Sequence, residues 1–343
     1  MGGLAAAAEA TRLGARVEVR EKGDRAGGAM LLSSGVVWRH RDFERFRAEC
    51  PGGDPDLQRT VFEHLDADLD WLESLGARAR ERDTGNPLTT GARFDTRELT
   101  EALVAAGGAD IRFGAALASA PEGVPVVLAT GGFQADRDLV REHVTTQARE
   151  LMLRSTPWST GDGLRIGLAA GAHATSVMDE FYGRNMPAPP ARVGEEGFVR
   201  LAQLYATHAT VRNAHGEVCT PATWSEIDVA QWTARQPGAR AWYEVPDANL
   251  ERRVRERTVG EMIEGARRAG APVERRDGST VVEVVAGITT TLGGLKIDAH
   301  AVAAPGVFAC GADVGGIATG GYASGLAAAL VFGRIAARSA LGR

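Results

Sequence analysis

The sequence predicts an α/β fold: a Rossmann-like open sheet interrupted by an inserted α+β domain. Strand-like and helix-like segments alternate over the first 150 residues, which is typical of a largely parallel sheet covered by helices. From about residue 155 the pattern changes to proline-rich turns with most of the tryptophans and tyrosines, and sheet-like sequence resumes near residue 280. The predicted division is therefore a first domain of residues 1–150 and 276–343, with an inserted domain at 151–275.

Spacing and residue size predict the individual elements. Residues 3–13 form a helix of very small residues that ends at Gly14, and residues 15–21 alternate valine with polar residues as a strand does. Residues 54–76 place leucine and valine on one helical face. Further elements are expected as follows: a helix at 97–106, strands at 110–113, 124–130, 281–291 and 306–311, and a final helix at 324–340.

Composition disfavours several classes of function. The chain has 343 residues, a net charge of −5 and a pI near 5.9, so electrostatics give no reason to expect nucleic acid or an anionic membrane as a partner. Its three cysteines are too scattered for a disulfide framework or a zinc site, and no stretch is apolar enough to span a bilayer. We therefore expect a cytoplasmic protein with a small-molecule substrate, no metal, no nucleic acid and no membrane insertion.

Four segments place glycine or a small residue at the carboxyl end of a strand, the edge where open α/β sheets bind ligands. They lie at residues 2–3, 21–35, 129–132 and 311–326. Each alone could be only a turn or a helix start, and their order along the chain is what indicates a site. Gly3 and Glu21 also fit the last glycine and the acidic residue of a dinucleotide-binding motif. Because the chain starts at Met1, inside that motif, we expect its first strand and first two glycines to be missing.

Taken together, these segments resemble the flavoprotein family of fumarate reductase and succinate dehydrogenase, which also contains 3-ketosteroid and tricarballylate dehydrogenases. The resemblance runs from residue 1 to about residue 338, and as a set its motifs are specific. The motifs are Glu21-Lys22, Gly27-Gly28, Ser33-Ser34-Gly35, Leu128-Ala129-Thr130-Gly131-Gly132-Phe133, Thr160-Gly161-Asp162-Gly163, Thr291-Leu292-Gly293-Gly294-Leu295 with Ile297-Asp298, Gly311-Ala312-Asp313, Ser324-Gly325-Leu326, and Val331-Phe332-Gly333-Arg334-Ile335-Ala336.

The resemblance implies a non-covalently bound FAD and the residues that hold it. Glu21 would accept hydrogen bonds from the adenosine ribose, while Gly3 and the Gly27-Gly28 turn would lie along the pyrophosphate. Asp313 would bind the ribityl or phosphate region, and the amides after Ser324 would face the pyrimidine edge of the flavin at a helix N-terminus. The full implied set is Gly2, Gly3, Glu21, Lys22, Gly27, Gly28, Ser34, Gly35, Ala129, Thr130, Gly131, Gly132, Asp162, Gly311, Asp313, Ser324, Gly325 and Leu326. Asp162 has a second interpretation, as the cap of a helix that begins near Leu164.

The chain departs from the family where substrate would bind. Fumarate reductases hold their dicarboxylate with histidine and arginine after the Gly-Ala-Asp motif, but no His or Arg occurs between Asp313 and Arg334. The family's His-His-Thr stretch is Thr289-Thr290-Thr291 here, which also argues against covalent flavin attachment. The place of the proton-donating arginine is occupied by Glu226 or a near neighbour. Fumarate reduction is therefore not expected.

Tyr322, Tyr182 and Arg184 are the candidates for catalysis. Tyr322 lies in the loop that should border the flavin and could act as an acid, a base or a donor to a carbonyl; alternatively, it packs at the domain interface. Tyr182 and Arg184 lie in a stretch that is near the substrate in the family. Arg184 could hold a carboxylate there, or it could be a solvated surface residue.

Three functions are compatible with the sequence. The first is an FAD-dependent dehydrogenase or reductase acting on a CH–CH bond of a small organic substrate by hydride transfer with flavin N5, using an unidentified electron donor or acceptor. The second is an N-terminally truncated or non-catalytic homologue that binds FAD weakly or not at all, since the stretches between Phe113 and Val124 and after Leu250 are short for the family. The third, an NAD-dependent dehydrogenase, explains Gly3 and Glu21 but leaves residues 311–336 unexplained.

Overall fold

The chain divides into two compact units in a computed structural model that describes residues 1–108, 110–221 and 225–343. The first unit comprises Met1–Asp136, Thr156–Glu180 and Thr290–Arg343, and the second comprises Arg137–Ser155 and Phe181–Thr289. The helices are α1 (Gly2–Arg12), α2 (Phe43–Glu49), α3 (Pro55–Ser74), α4 (Thr96–Gly107), α5 (Arg137–His143), α6 (Asp162–Ala169), α7 (Gly197–Arg200), α8 (Glu226–Ala234), α9 (Val259–Arg268) and α10 (Gly325–Ala340). The strands are β1 (Glu18–Arg20), β2 (Val36–His40), β3 (Ala79–Glu81), β4 (Thr89–Phe94), β5 (Asp110–Arg112), β6 (Val126–Leu128), β7 (Met152–Leu153), β8 (Phe181–Pro187), β9 (Thr210–Arg212), β10 (Arg240–Pro246), β11 (Arg253–Val254), β12 (Arg257–Thr258), β13 (Val273–Arg276), β14 (Ser279–Thr291), β15 (Val302–Ala304) and β16 (Val307–Ala309).

These unit boundaries differ from those predicted from the sequence. The sequence assigns residues 276–289 to the first domain, but most of them form β14, whose partners β10 and β13 belong to the second unit. A continuous strand stays with the sheet that its hydrogen bonds build, so the boundary lies near the end of β14, between Thr289 and Thr290. In the other direction, residues 156–180 with α6 belong to the first unit, and residues 137–150 with α5 belong to the second.

Helix α1 consists mainly of glycine and alanine, and these small residues allow close packing. It packs against α4 and α10, with residues 5–8 buried. A Cβ atom at Gly333 of α10 would collide with the carbonyl group of Gly2, so only glycine allows the two helices to approach at this position. The small-residue helix predicted from the sequence therefore serves as the central packing element of the first unit.

Parallel strands in the first unit carry the glycine-rich segments. β1 pairs with β5, with Val19 opposite Ile111, and β6 pairs with β16, with Val127 opposite Phe308. Both pairs are parallel, as predicted for an open α/β sheet. The segments that follow β1, β6 and β16 thus leave from carboxyl ends of strands, where such sheets bind ligands.

A third sheet of the first unit is antiparallel and is not predicted from the sequence. β2 pairs with β4, with Trp38 opposite Gly91, and β3 completes the sheet. The buried residues of β2 are Val37 and His40, so its inward positions are three residues apart rather than alternating. The strand therefore lacks the alternation of apolar and polar residues from which strands are predicted.

The second unit is built around β14, a strand of 13 residues. β10 and β13 pair with it in antiparallel orientation, β7 pairs with it in parallel orientation, β8 also pairs with it, and β9 extends the sheet beyond β10. The buried rings of Tyr205 and Tyr243 meet edge to face, with centroids 5.4 Å apart. This mixture of sheet and helices agrees with the α+β domain predicted from the sequence.

In the described part of the chain, no helix combines the length and the apolarity that crossing a membrane requires. The same residues contain no group of three or more His, Cys, Asp or Glu side chains arranged to hold a metal ion.

Candidate functional site

The centre of the candidate site is the carboxylate of Asp313, which joins two of the glycine-rich segments. Asp313 follows β16 and is 1% exposed. It accepts hydrogen bonds from the backbone amide of Thr130, from the Thr130 hydroxyl at 2.9 Å and from the amide of Gly132 at 3.1 Å. Burial raises the pKa of Asp313 above its usual value, although the hydrogen bonds from Thr130 and Gly132 oppose the shift. Asp313 therefore holds the loop after β6 in place.

Lys22 connects a third segment to this cluster. Its ammonium group lies 2.7 Å from the carboxylate of Asp162 and donates to the Thr160 hydroxyl at 2.6 Å. The proposed capping role of Asp162 is wrong, because the N-cap of α6 is Gly161 and Asp162 is the first residue inside the helix. The amide of Gly163 in α6 instead donates to the hydroxyl of Thr130 at 2.9 Å. Three segments that are distant in sequence thus meet around Thr130.

The segment after β1 places a carboxylate and two adjacent glycines at the carboxyl end of that strand. Glu21 accepts a hydrogen bond from the amide of Gly23 at 2.6 Å, which orients its side chain. Gly27 and Gly28 both have positive φ values, 103° and 52°, so the chain turns there in a way that favours glycine. A Cβ atom at Gly28 would meet no other atom within 4 Å, so this side of the turn is open.

Helix α1 begins against the ends of β6 and β16. A Cβ atom at Gly2 would lie 2.8 Å from the sulfur of Cys310, and one at Gly3 would lie 3.1 Å from the Cβ atom of Ala129. The neighbouring loop residues Gly131 and Gly311 also have positive φ values, 94° and 67°. Cys310 is fully buried, and burial raises the pKa of its thiol to about 12, so the residue is a small buried hydrophobe rather than a reactive thiol.

The N-terminus of α10 forms another part of the site. The hydroxyl of Ser324 caps the helix by accepting from the amide of Ala327 at 3.3 Å, and it also accepts from the amide of Trp38 at 3.4 Å. The next residue, Gly325, is exposed, and a Cβ atom there would meet nothing within 4 Å. Leu326 continues the first turn and is half-buried. The first amides of this 16-residue helix, with the positive end of its dipole, therefore border open space.

The serines of the 33–35 segment have separate roles. Ser34 is exposed, whereas the hydroxyl of Ser33 donates to the carbonyl of Met30 at 2.8 Å and accepts from the amide of Gly35 at 3.1 Å. Gly35 has a φ of 69° and lies against the carbonyl of Phe94, which excludes a side chain there. Ser34 is in the predicted FAD set and Ser33 is not, but the hydroxyl of Ser33 is the one that holds the turn.

The three catalytic candidates lie in different units. Tyr322 belongs to the first unit, is half-buried, and packs its ring against Trp38 with centroids 5.6 Å apart. Tyr182 and Arg184 lie on β8 in the second unit, and the guanidinium of Arg184 lies 5.0 Å from the centroid of the Tyr182 ring. Arg184 is half-buried rather than fully solvated, so its guanidinium is partly desolvated and held over an aromatic face.

Glu226 is a titratable residue whose environment the sequence does not reveal. It begins α8 behind the Ser225 cap and accepts from the amide of Ala206 at 3.1 Å. Burial raises the pKa of its carboxyl to about 7, while the positive charge of Arg184 opposes the shift. In the sequence, Glu226 is an acidic residue that follows a serine at the start of a helix. Exposed first turns of helices commonly have this pattern, so it does not indicate a buried carboxyl.

We expect the substitution Glu226→Gln to stabilise the protein at high pH and to change little at low pH. The pKa of Glu226 in the folded protein is raised above its ordinary value of 4.5. The stability associated with the protonated carboxyl is therefore fully present below pH 4.5, and it is lost as the pH rises through about 7. Glutamine cannot ionise. Near pH ~8, the free energy of unfolding of the variant, measured with urea, should therefore exceed that of the wild type by about 2 kcal/mol. Parallel pH profiles of the two proteins would contradict burial of this carboxyl.

The family comparison follows from the same segments. The family described as FAD binding domain matches the sequence over residues 1–122 and 118–326, which together span most of the chain. The chain belongs to the FAD binding domain family. The cofactor of this family is FAD, so the predicted family and cofactor are both confirmed. A comparison with curated proteins finds no match.

Solved structures have the same fold as this FAD binding domain protein. An open conformation of a flavocytochrome c3 fumarate reductase is 19% identical, with a TM-score of 0.73, covering 99% of this chain and 76% of that one. The 3-ketosteroid-Δ4-(5α)-dehydrogenase of Rhodococcus jostii RHA1 is 18% identical, with a TM-score of 0.70, covering 99% and 94%. The 3-ketosteroid Δ1-dehydrogenase of Sterolibacterium denitrificans is 15% identical, with a TM-score of 0.73, covering 100% and 98%. These similarities confirm the predicted fold class.

The residues of the FAD binding domain fit the cofactor. FAD needs small residues and amide donors along its pyrophosphate, a polar group at its ribose and positive potential at the flavin edge. Gly28 and Gly325 border open space, Glu21 supplies an oriented carboxylate, and α10 presents its N-terminus. In addition, the buried hydroxyl of Thr291 has no hydrogen-bond partner among the residues described. It lies next to Gly132, where a Cβ atom would be 2.6 Å away.

Proposed function

We propose that the protein is an FAD-dependent dehydrogenase or reductase that acts on a CH–CH bond of a small organic substrate. The observation that carries the proposal is a junction in the first unit. Asp313 and Gly163 both bind Thr130, and Lys22 joins them by binding Thr160 and Asp162, so four segments of the predicted FAD site meet there. The open N-terminus of α10 supports the flavin end of the same site. When bound, FAD supplies a hydride acceptor or donor at its N5 position.

The chain's own residues would then bind the substrate and exchange a proton with it. Tyr322, held against Trp38, would give or take the proton on the carbon next to the one that exchanges hydride. Arg184 would hold an anionic or carbonyl group of the substrate with its guanidinium, and the ring of Tyr182 would keep that guanidinium in place. In this assignment Tyr322 moves a proton, while Tyr182 and Arg184 bind and orient.

Ketones are favoured over dicarboxylates as the substrate class. The two solved 3-ketosteroid dehydrogenases are complexes with 4-androstene-3,17-dione and 1,4-androstadiene-3,17-dione. The present chain has no His or Arg between Asp313 and Arg334 that could neutralise a carboxylate. A carbonyl beside the reacting bond also acidifies the C–H group that must lose a proton.

The FAD is proposed to be bound without a covalent link. Residues 289–291 are all threonine, so this stretch contains no imidazole that could form a bond to the flavin. We expect the purified protein to be yellow, with about one FAD per chain. Acid denaturation should release all of the flavin into the supernatant, where its mass identifies it. A colourless, well-folded product would favour the non-catalytic alternative, and flavin that stays with the precipitate would refute non-covalent binding.

Anaerobic mixing with cyclic 3-ketones and with dicarboxylates would test the reaction class. Bleaching of the flavin absorbance by a saturated ketone would support dehydrogenation, and reoxidation of reduced protein by an unsaturated ketone would support the reverse reaction. Tyr322→Phe keeps the ring but removes the hydroxyl, so bleaching should slow by about 100-fold or more. Bleaching at the wild-type rate would exclude Tyr322 as the proton-transfer group.

A further inference from the structure

A buried side chain on α3 contacts the loop that carries Tyr322. Gln58 is 0% exposed. Its amide nitrogen donates to the carbonyl of Ile317 at 2.8 Å and to the carbonyl of Cys50 at 2.9 Å, and its oxygen accepts from Arg47 at 2.6 Å. The amide of Gln58 therefore donates to two backbone carbonyls and accepts from one charged side chain. One side chain thus ties residues 315–323, named here the tyrosine loop, to the segment between α2 and α3.

Backbone contacts reinforce the same junction. The amide of Gly52 donates to the carbonyl of Thr319 at 3.1 Å, and the amide of Asp54 donates to the carbonyl of Gly316 at 2.7 Å. A Cβ atom at Gly53 would overlap the amide of Gln58, so the backbones approach as closely as glycine permits. The junction is therefore specific in geometry and leaves no space for a side chain at Gly53.

Glu180 holds the tyrosine loop at a second point. Its carboxylate accepts a hydrogen bond from the amide of Gly320 at 2.8 Å, two residues before Tyr322. Glu180 lies at the end of the 156–180 segment of the first unit, far in sequence from Gln58. The loop is thus fixed by two side chains from separate parts of the same unit.

The composition of the tyrosine loop explains why external contacts are needed. Four of its nine residues are glycine, and glycine loses more conformational freedom on ordering than any other residue. Such a loop does not hold a defined conformation by its own propensity. The ring of Tyr322 nevertheless has a defined place beside Trp38, whose amide is bound to Ser324 at the start of α10.

We propose that Gln58 and Glu180 are positioning residues for Tyr322, acting through the tyrosine loop. The assignment rests on the proposed function of Tyr322 as the proton-transfer group. Ordering the loop in the free enzyme removes an entropy cost that would otherwise be met in the transition state, so the contacts raise turnover rather than substrate affinity. Both side chains bind the backbone of the tyrosine loop, at Ile317 and at Gly320.

Fluorine NMR of the FAD-loaded protein labelled with 3-fluorotyrosine tests the positioning role without any substrate. The chain has four tyrosines, and Tyr322→Phe identifies the signal of interest by its loss. We expect Gln58→Met, which keeps the length of the side chain but removes the amide, to shift or broaden the Tyr322 signal. The matched control is Gln231→Met, because Gln231 also donates to a backbone carbonyl, that of Phe181 at 3.0 Å, but lies in the second unit. It should leave the Tyr322 signal unchanged.

A second pair of variants keeps the test decisive if Gln58→Met does not fold. Glu180→Gln retains an acceptor for the amide of Gly320, whereas Glu180→Leu removes it. We expect the leucine variant to move the Tyr322 signal and the glutamine variant to restore it. A Tyr322 signal that is unchanged in folded Gln58→Met and in Glu180→Leu would overturn the proposal, whatever the effect on thermal stability.

Turnover separates this proposal from the proposed function. With a substrate that bleaches the flavin, Gln58→Met and Glu180→Leu should lower kcat by about tenfold and leave KM within about twofold. If the Tyr322 signal moves while kcat is unchanged in these variants and in Tyr322→Phe, the loop contacts are real but the assigned role of Tyr322 is wrong. If KM rises while kcat stays constant, the contacts serve substrate binding and the positioning role is refuted.

Discussion

Replacement of Asp313 by alanine is expected to remove bound FAD almost completely. The carboxylate of Asp313 receives both hydrogen bonds from Thr130 and one from the amide of Gly132, all within a buried cluster. Alanine would leave these three donors unpaired, at a cost of about 1–3 kcal/mol each. The loop after β6 should then rearrange, and we expect the FAD content of the purified protein, measured by absorbance, to fall more than about tenfold.

The comparison variants determine whether the effect is specific. Asp313→Asn keeps one acceptor oxygen, so it should retain part of the FAD. Asp298→Ala is the matched control. Asp298 also accepts hydrogen bonds from two backbone amides, those of His300 and Val302, but it is exposed. Equal FAD content in Asp313→Ala and the wild type would show that Asp313 does not organise the cofactor site.

Replacement of Arg334 by methionine is expected to destabilise the protein by about 3–5 kcal/mol. The guanidinium of Arg334 lies against Asp68 of α3 and within 3.3 Å of Glu9 of α1, and all three side chains are less than 10% exposed. It also packs over the ring of Trp71 at 4.2 Å. Methionine would fill much of the space but leave Asp68 without its main cationic partner, which is why the expected loss is large. Urea unfolding measures the change in the free energy of unfolding.

The same substitution at Arg338 provides the control for this ion-pair network. Arg338 binds the other oxygen of Glu9 at 2.7 Å, but its side chain is 35% exposed, so Arg338→Met should cost about 1 kcal/mol or less. Burial raises the pKa of Glu9, but hydrogen bonds from Arg12 and Arg338 and the charges of Arg334 and Arg338 outweigh this and lower it to about 2. The stability that ionised Glu9 contributes is therefore present above its ordinary pKa of 4.5 and is lost as the pH falls toward 2. Similar losses for both arginine variants would contradict the buried network.

Periodicity predicted those helices whose apolar residues form one continuous face. The observed bounds of α3 and α10 lie within two residues of the predicted ones, because the pattern that buries a helix is local in the sequence. The parallel pairing of β1 and β6 with later strands was also predictable, since strands alternate with helices there. β2 was not predicted, because its buried residues, Val37 and His40, do not alternate with exposed ones.

The resemblance of the glycine-rich segments to a flavoprotein family predicts the cofactor, but not the contacts within the candidate site. Lys22 and Asp162 form an ion pair although they are 140 positions apart, and no local pattern distinguishes this carboxylate from a helix cap. The raised pKa of Glu226 likewise depends on burial by residues from other elements. Such contacts arise from packing between distant segments, and a single sequence contains no direct signal for them.

The close packing of α1 against α10 has a consequence for the time at which the protein can fold during synthesis. Glu9 and Arg334 are joined by a hydrogen bond although 325 positions separate them. A ribosome adds about 5–20 residues per second, so α1 emerges many seconds before its partner helix exists. During that interval the second unit, whose segments end at Thr289, can complete its own sheet. The nascent chain is therefore expected to fold its second unit first and its first unit only once α10 has left the exit tunnel.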